Sequence, residues 1–126
     1  MVINSIPQEA LLYFKTLGDE TRLRLLNILC FQEFNVQELM EILDMGQSRI
    51  SRHLKLLQNS GIIESRRDGL WAFYRAVDQG PGLRFTDSIR YLFEGDQIFK
   101  NDIERAAEVL RTGNMQSRRF FDSLAP

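Results

Sequence analysis

Wound as a helix at about 100° per residue, residues 47–60 bring Ser48, Ser51, Arg52, Lys55 and Asn59 to one side and Ile50, Leu54 and Leu57 to the other. Hydroxyls and amides of this kind exchange hydrogen bonds with base edges, arginine bonds guanine in pairs, and lysine meets phosphate. Gln47 stands at the N-terminal end, where a reading helix meets bases. Arg49 lies beside Leu56, and His53 turns toward the Leu57 side at the edge of a core. Two readings stand for His53, a structural place there or a direct contact with DNA. The candidate contacts of this stretch are Gln47, Ser48, Arg49, Ser51, Arg52, His53 and Lys55.

Other chemistries find little to work with. The chain has one cysteine, Cys30, and one histidine, so it has no internal disulfide and no tetrahedral zinc site without carboxylates or a second chain. Cys30 repeats at helical spacing with Leu23 and Leu26 and is expected to pack as a small hydrophobe. No acid and base pair, and no nucleophile with a histidine, assembles at a suggestive spacing. Gly80-Pro81-Gly82 lacks the spacing of a phosphate loop and reads as a linker. Neither an enzyme nor a cofactor site is expected, and no metal site.

At 126 residues, 44% hydrophobic and 26% charged, the chain has the size and the apolar content of one domain. No apolar run approaches the roughly 18 residues of a membrane span, and the opening MVINSIPQEALL lacks the pattern of an export signal. A cytoplasmic protein is expected. The net charge of −1 hides a partition: residues 1–46 carry three Lys/Arg and seven Asp/Glu, residues 47–75 six and two, and residues 76–126 seven and eight. The nets are −4, +4 and −1, so the basic excess falls on the candidate reading helix and the segment after it.

Several elements must position that helix. Ser5 and Gln8 stand at capping-box spacing, with Pro7 in the first turn and Gly18 as the stop; Ala10, Phe14 and Leu17 line one side and Leu11 and Leu12 lie off it. Asp19 caps a second helix, Glu20 to Cys30, and Asn35 with Glu38 forms a capping box for a short third one through Leu43. Two short helices across a tight turn, the second basic outside and apolar inside, form a helix-turn-helix. Gly61 ends the reading helix, and strand-forming residues flank Asp68-Gly69, a hairpin signal. The hairpin is a wing made basic by Arg66, Arg67 and Arg75; with a two-residue turn at Asp68-Gly69, Arg66 stands opposite Trp71, close enough to stack.

Beyond residue 80, Phe85, Ile89, Leu92 and Phe93 form a helical stripe, and Asp96 caps a further helix with Phe99, Ile103, Ala106 and Leu110 in phase. These helices come after a core that is already complete, so their apolar faces call for a cover. A second copy is the simplest, with Leu11, Leu12, Phe85, Ile89, Leu92 and Phe93 at the interface. The expected fold is mainly α with a two-stranded β-hairpin: a winged helix-turn-helix over residues 1–80, then a C-terminal helical dimerisation extension and tail over residues 81–126.

The stretches FKTLGDETRLRLLNIL and VQELMEILDMGQSRISRHLKLLQNSGIIESRRDGLWAFYRA resemble the ArsR family of winged-helix transcriptional regulators over residues 14–76, about half the chain. The resemblance implies a homodimer held by the first and C-terminal helices, with the serine-rich helix in the major groove. The expected function is a sequence-specific DNA-binding regulator, a repressor, acting on a pseudo-palindromic operator. A winged helix that has lost DNA binding and serves as a protein-interaction module is the alternative. Metal-sensing members carry a Cys-x-Cys-type motif where this chain has Phe34, Asn35 and Val36; others carry Asp, His and Glu ligands on the C-terminal helix, where this chain has no histidine. Both familiar metal sites are missing, and the effector is left open. Arg119-Phe120-Phe121-Asp122 with Ala125-Pro126 resembles the junction to an S-adenosylmethionine-dependent methyltransferase in fused members, which would make this chain the DNA-binding portion of a larger enzyme.

Overall fold

A computed structural model describes residues 7–112. Four helices come first: α1 (Gln8–Leu17), α2 (Glu20–Phe31), α3 (Val36–Leu43) and α4 (Gln47–Ser60). An antiparallel hairpin of β1 (Ile63–Asp68) and β2 (Trp71–Ala76) comes next. Then come α5 (Gly80–Ile89), a 3-10 turn (Arg90–Phe93) and α6 (Gln97–Thr112). This is the mainly helical, winged helix-turn-helix architecture that the residue pattern predicts.

The internal caps stand where the spacing puts them. Asp19 accepts the Arg22 N–H at 3.0 Å and opens α2. Asn35 and Glu38 exchange side-chain and backbone bonds of 2.9 Å each, the full capping box of α3. Asp96 accepts the Phe99 N–H at 3.0 Å at the start of α6. The first cap differs: α1 begins at Gln8 with Pro7 at its N-cap, too late for a cap at Ser5, which lies outside the described residues. Its inward row differs too. Tyr13, Thr16 and Leu17 are buried, Ala10 is half-buried and Phe14 is exposed. The Tyr13 ring behaves as an apolar body and packs on Phe85, centroids 4.8 Å apart.

α2 is covered from several sides, so Leu25, Leu26, Ile28 and Leu29 are all buried, while Leu23 and Cys30 are half-buried against the same core. Cys30 therefore packs as expected, and burial pushes its thiol pKa up. On α4, Ile50, Leu54 and Leu57 point into the core with Ile62 and Ile63.

Three expectations need correction. The hairpin turn is Gly69-Leu70, one residue later than Asp68-Gly69, because the register pairs Asp68 with Trp71. Gly69 alone of the two takes positive φ, at 59°, as a turn with glycine in the first central position requires. Arg66 consequently stands opposite Phe73 rather than Trp71, with its guanidinium 5.4 Å from the Phe73 ring centroid. Gly80-Pro81-Gly82 is the first turn of α5 and not a linker. Gly82 is buried there against the end of the reading helix: a Cβ on it would lie 2.5 Å from the Gly61 carbonyl oxygen. Finally, the core is not complete at the hairpin. Ala106 and Val109 of α6 are buried in it, and α6 packs across α2 and α3. Arg24 and Asp102 fasten that contact with bonds of 2.8 and 2.9 Å, helped by Asn27 to the Phe99 carbonyl at 3.2 Å and Arg105 to the Glu41 carbonyl at 3.0 Å.

Candidate nucleic-acid interface

The outer face of α4 presents Gln47, Ser48, Arg49, Arg52, Lys55 and Asn59 to solvent, and Ser51 is half-buried between them. Gly46 caps the helix without a side chain, leaving its first N–H groups at the end that carries Gln47 and Ser48. Arg52 and Lys55 form no ion pair with any described residue, so their charge is open to an anion. Arg49 reaches sideways to Thr21 at 3.4 Å.

His53 belongs to the inside. It is 6% exposed, and its Nδ1 accepts a bond of 3.1 Å from Arg22 Nη1. A guanidinium only donates, so this nitrogen is unprotonated and the ring proton sits on Nε2. Burial holds the imidazole below its ordinary pKa, helped by Arg22, Arg52 and Arg49 and opposed by Asp19. The side chain lies at the core, on the inner side of α4 and away from the exposed face that carries Arg52 and Lys55.

The wing divides its arginines. Arg67 shares a ribbon face with Ser65, and Ser65 accepts from Gln58 of α4 at 2.9 Å, so Arg67 adjoins the reading helix. It is exposed and forms no ion pair with any described residue. Arg66 and Arg75 lie on the opposite face. Arg66 forms a two-pronged pair with Glu33, one bond of 2.9 Å from Nε and a second from Nη2. Arg75 bonds Glu64 at 2.8 Å and lies 3.6 Å from Asp78. Two of the three wing charges are thus neutralised within the fold. Leu70, 96% exposed, forms the tip.

Of the six expected dimer residues, Phe85, Ile89, Leu92 and Phe93 come together. Phe85 packs beside both Tyr13 and Phe14, the latter edge-on at 5.3 Å between centroids. Leu11, Ile89 and Phe93 are half-buried, whereas Leu12 is 44% and Leu92 63% exposed. Phe14, Leu23, Phe85, Leu92 and Phe99 help line an apolar groove of 360 Å³ in this region.

Against known proteins, residues 19–65 match the arsR family of bacterial regulatory proteins. Over 112 residues the chain is 48% identical to the arsenic resistance transcriptional regulator ArsR2 of Pseudomonas putida, covering 88% of this chain and 92% of that one. The chain belongs to the ArsR family. Other ArsR relatives match over a shorter stretch: the arsenical resistance operon repressor of Escherichia coli K12 is 46% identical over 69 residues, 54% of this chain and 59% of its own. ArsR1 of P. putida is 41% identical over 69 residues, so the chain spans about half of its length, 54%. Among solved structures, the transcriptional repressor BigR of Xylella fastidiosa superposes with a TM-score of 0.60 at 33% identity, covering 71% of this chain and 89% of that one. HlyU of Vibrio cholerae gives 0.61 at 26% identity, with 69% and 90% covered. The P. putida and E. coli relatives and BigR are named as transcriptional regulators or repressors. The fusion to a methyltransferase gains no support from them, and the residues that suggested it lie outside the described ones.

Sequence reasoning missed Arg22 and Glu33, and the place of Asp19 beside His53. Asp19 and Arg22 stand three apart, a spacing that hinted at their cap, but nothing in the chain order tied Arg22 to His53 or Glu33 to Arg66.

Proposed function

We propose that the protein is a sequence-specific DNA-binding repressor that acts as a homodimer on a pseudo-palindromic operator, with α4 in the major groove. One observation carries this reading: Arg52 and Lys55 stand unpaired among the described residues on the exposed face of a helix whose other face is core, with Arg67 on the adjoining wing face. A duplex needs such a basic, amide- and hydroxyl-bearing ridge; a module that only binds proteins does not. Base edges would meet Gln47, Ser48, Ser51 and Arg52, and phosphates Lys55, Arg49 and Arg67. Residues 1–80 would carry the reading, and residues 81–126 the extension that pairs with α1 of a second copy, Leu12 and Leu92 lying outermost. Membership of the family supports a cytoplasmic site of action.

The effector would not be a metal held by the family's usual ligands, since Phe34, Asn35 and Val36 replace the thiolate motif and α6 has no histidine. Selection of bound sequences from a random duplex library, with the purified protein at stated salt, tests the reading. It should return two related half-sites. Arg52→Ala should then cost about 1–3 kcal/mol on that duplex and relax the preference at one base pair. Equal affinity for selected and random duplexes would remove the proposal.

A further inference from the structure

Arg22 joins three helices at one guanidinium. It sits in the first turn of α2, its Nε donates to the Thr16 carbonyl in the last turn of α1, and its Nη1 donates to His53 Nδ1 on α4 at 3.1 Å. Thr16 O is one of the carbonyls a helix leaves unpaired at its C-terminus, where a cation is also favoured by the helix dipole. Thr16 and His53 are both buried, so water competes little with either bond. Beside them Arg49 of α4 reaches Thr21 of α2. The inner side of α4 thus meets α2 through polar bonds that have a direction, next to the apolar contacts of Ile50, Leu54 and Leu57 that have none.

We propose that Arg22 and His53 are positioning residues for DNA reading, which set the angle at which α4 presents Gln47 to Lys55, and that protonation of His53 releases that setting. The proposal rests on the reading of α4 as the DNA-contacting helix. A proton on Nδ1 turns the acceptor into a donor and puts a second cation against Arg22. The acceptor then within reach is Asp19, whose Oδ2 lies 3.9 Å from Nδ1 and already caps α2. Arg22 must leave, and the α2 cap must share its carboxylate. Asp19 and Arg22 from the start of α2, and Arg49 and Arg52 from α4 itself, are the charged groups that act on the imidazole. Because burial holds the folded-state pKa below the ordinary histidine value, the neutral, bonded form prevails at neutral pH. The bond is lost as pH falls through that lowered value. A phosphate backbone near α4 would favour a protonated histidine and acts in the opposite sense, so the sign of the pH effect is diagnostic.

The test measures affinity for the selected operator and for a random duplex between about pH 7.5 and pH 5.5, for the unaltered protein, His53→Asn and His53→Leu. His53→Asn keeps an acceptor, Oδ1, at the place of Nδ1 and does not titrate. His53→Leu leaves Nη1 without a partner. Operator affinity of the unaltered protein should fall on acidification more than random-duplex affinity does, and His53→Asn should bind at neutral pH like the unaltered protein yet lose that extra fall. His53→Leu should lose operator affinity by about tenfold, the scale of one hydrogen bond to a charged group, with random-duplex binding little changed. Should His53→Leu fail to fold, the pH profile of His53→Asn decides. An operator affinity that rises on acidification, or an extra fall that persists in His53→Asn, overturns the proposal. Absence of any operator preference in the unaltered protein would instead overturn the reading of α4.

Discussion

Removing Arg24 should unfold the protein more readily than removing its partner Asp102, although both changes break the same pair. The Asp102 side chain is 3% exposed and that of Arg24 18%, and the two share bonds of 2.8 and 2.9 Å between α2 and α6. Arg24→Ala strands a carboxylate with almost no water, a cost of about 3–5 kcal/mol for an unpaired buried charge. Asp102→Ala strands a guanidinium that keeps some water, so about 2–3 kcal/mol is expected. Replacing both by leucine removes the charges together and fills the space, and should stay within about 1 kcal/mol of the unaltered protein. Against a total stability of about 5–15 kcal/mol these differences are large. Urea unfolding followed by far-ultraviolet circular dichroism measures them: with a slope of about 1–3 kcal/mol per molar, the Arg24→Ala midpoint should drop by about 2 M. If the single changes each cost under about 0.5 kcal/mol, or the double change costs their sum, then α6 is not fastened to the body by this pair and the reasoning fails.

Arg67→Ala should weaken binding to all duplexes alike and lower the salt slope by about 1, whereas Arg66→Ala, which loses a charge already matched by Glu33, should change the slope little; salt-dependent titrations of both variants separate them. Gly82→Ala puts a methyl 2.5 Å from the Gly61 carbonyl and should cost about 1–3 kcal/mol in denaturant unfolding, and an unchanged midpoint would show that α5 does not press on the end of α4. Leu92→Glu should turn a dimer into a monomer in light scattering at micromolar concentration with the helical content retained, because its side chain is exposed in the single chain; a monomer from the unaltered protein would refute the dimer.

Much of this molecule is legible in residue order alone because its signals are local. Asp19, Asn35, Glu38 and Asp96 cap helices through bonds that span three residues. The inward row Ile50, Leu54 and Leu57 comes from helix periodicity, and it leaves Ser48, Arg52 and Lys55 outside with no further information. The family resemblance rests on those same stretches, and residues 19–65 carry it.

The tertiary structure decided the meetings of residues far apart in the chain. Strand alternation puts Arg66 and Arg67 on opposite ribbon faces, but only the packing shows that the Arg67 face meets α4 while Arg66 and Arg75 reach Glu33, Glu64 and Asp78. The amphipathic pattern of α6 says that one face needs a cover without saying whose; only packing shows that Ala106 and Val109 complete this chain's own core, while Leu92 stays outside. His53 could be placed at the core edge by periodicity, yet its partner Arg22 is 31 residues away. Caps and periodicity are written into a few consecutive residues, whereas charge pairing and face burial depend on which distant segment arrives, and that is set by the packing of all the helices at once.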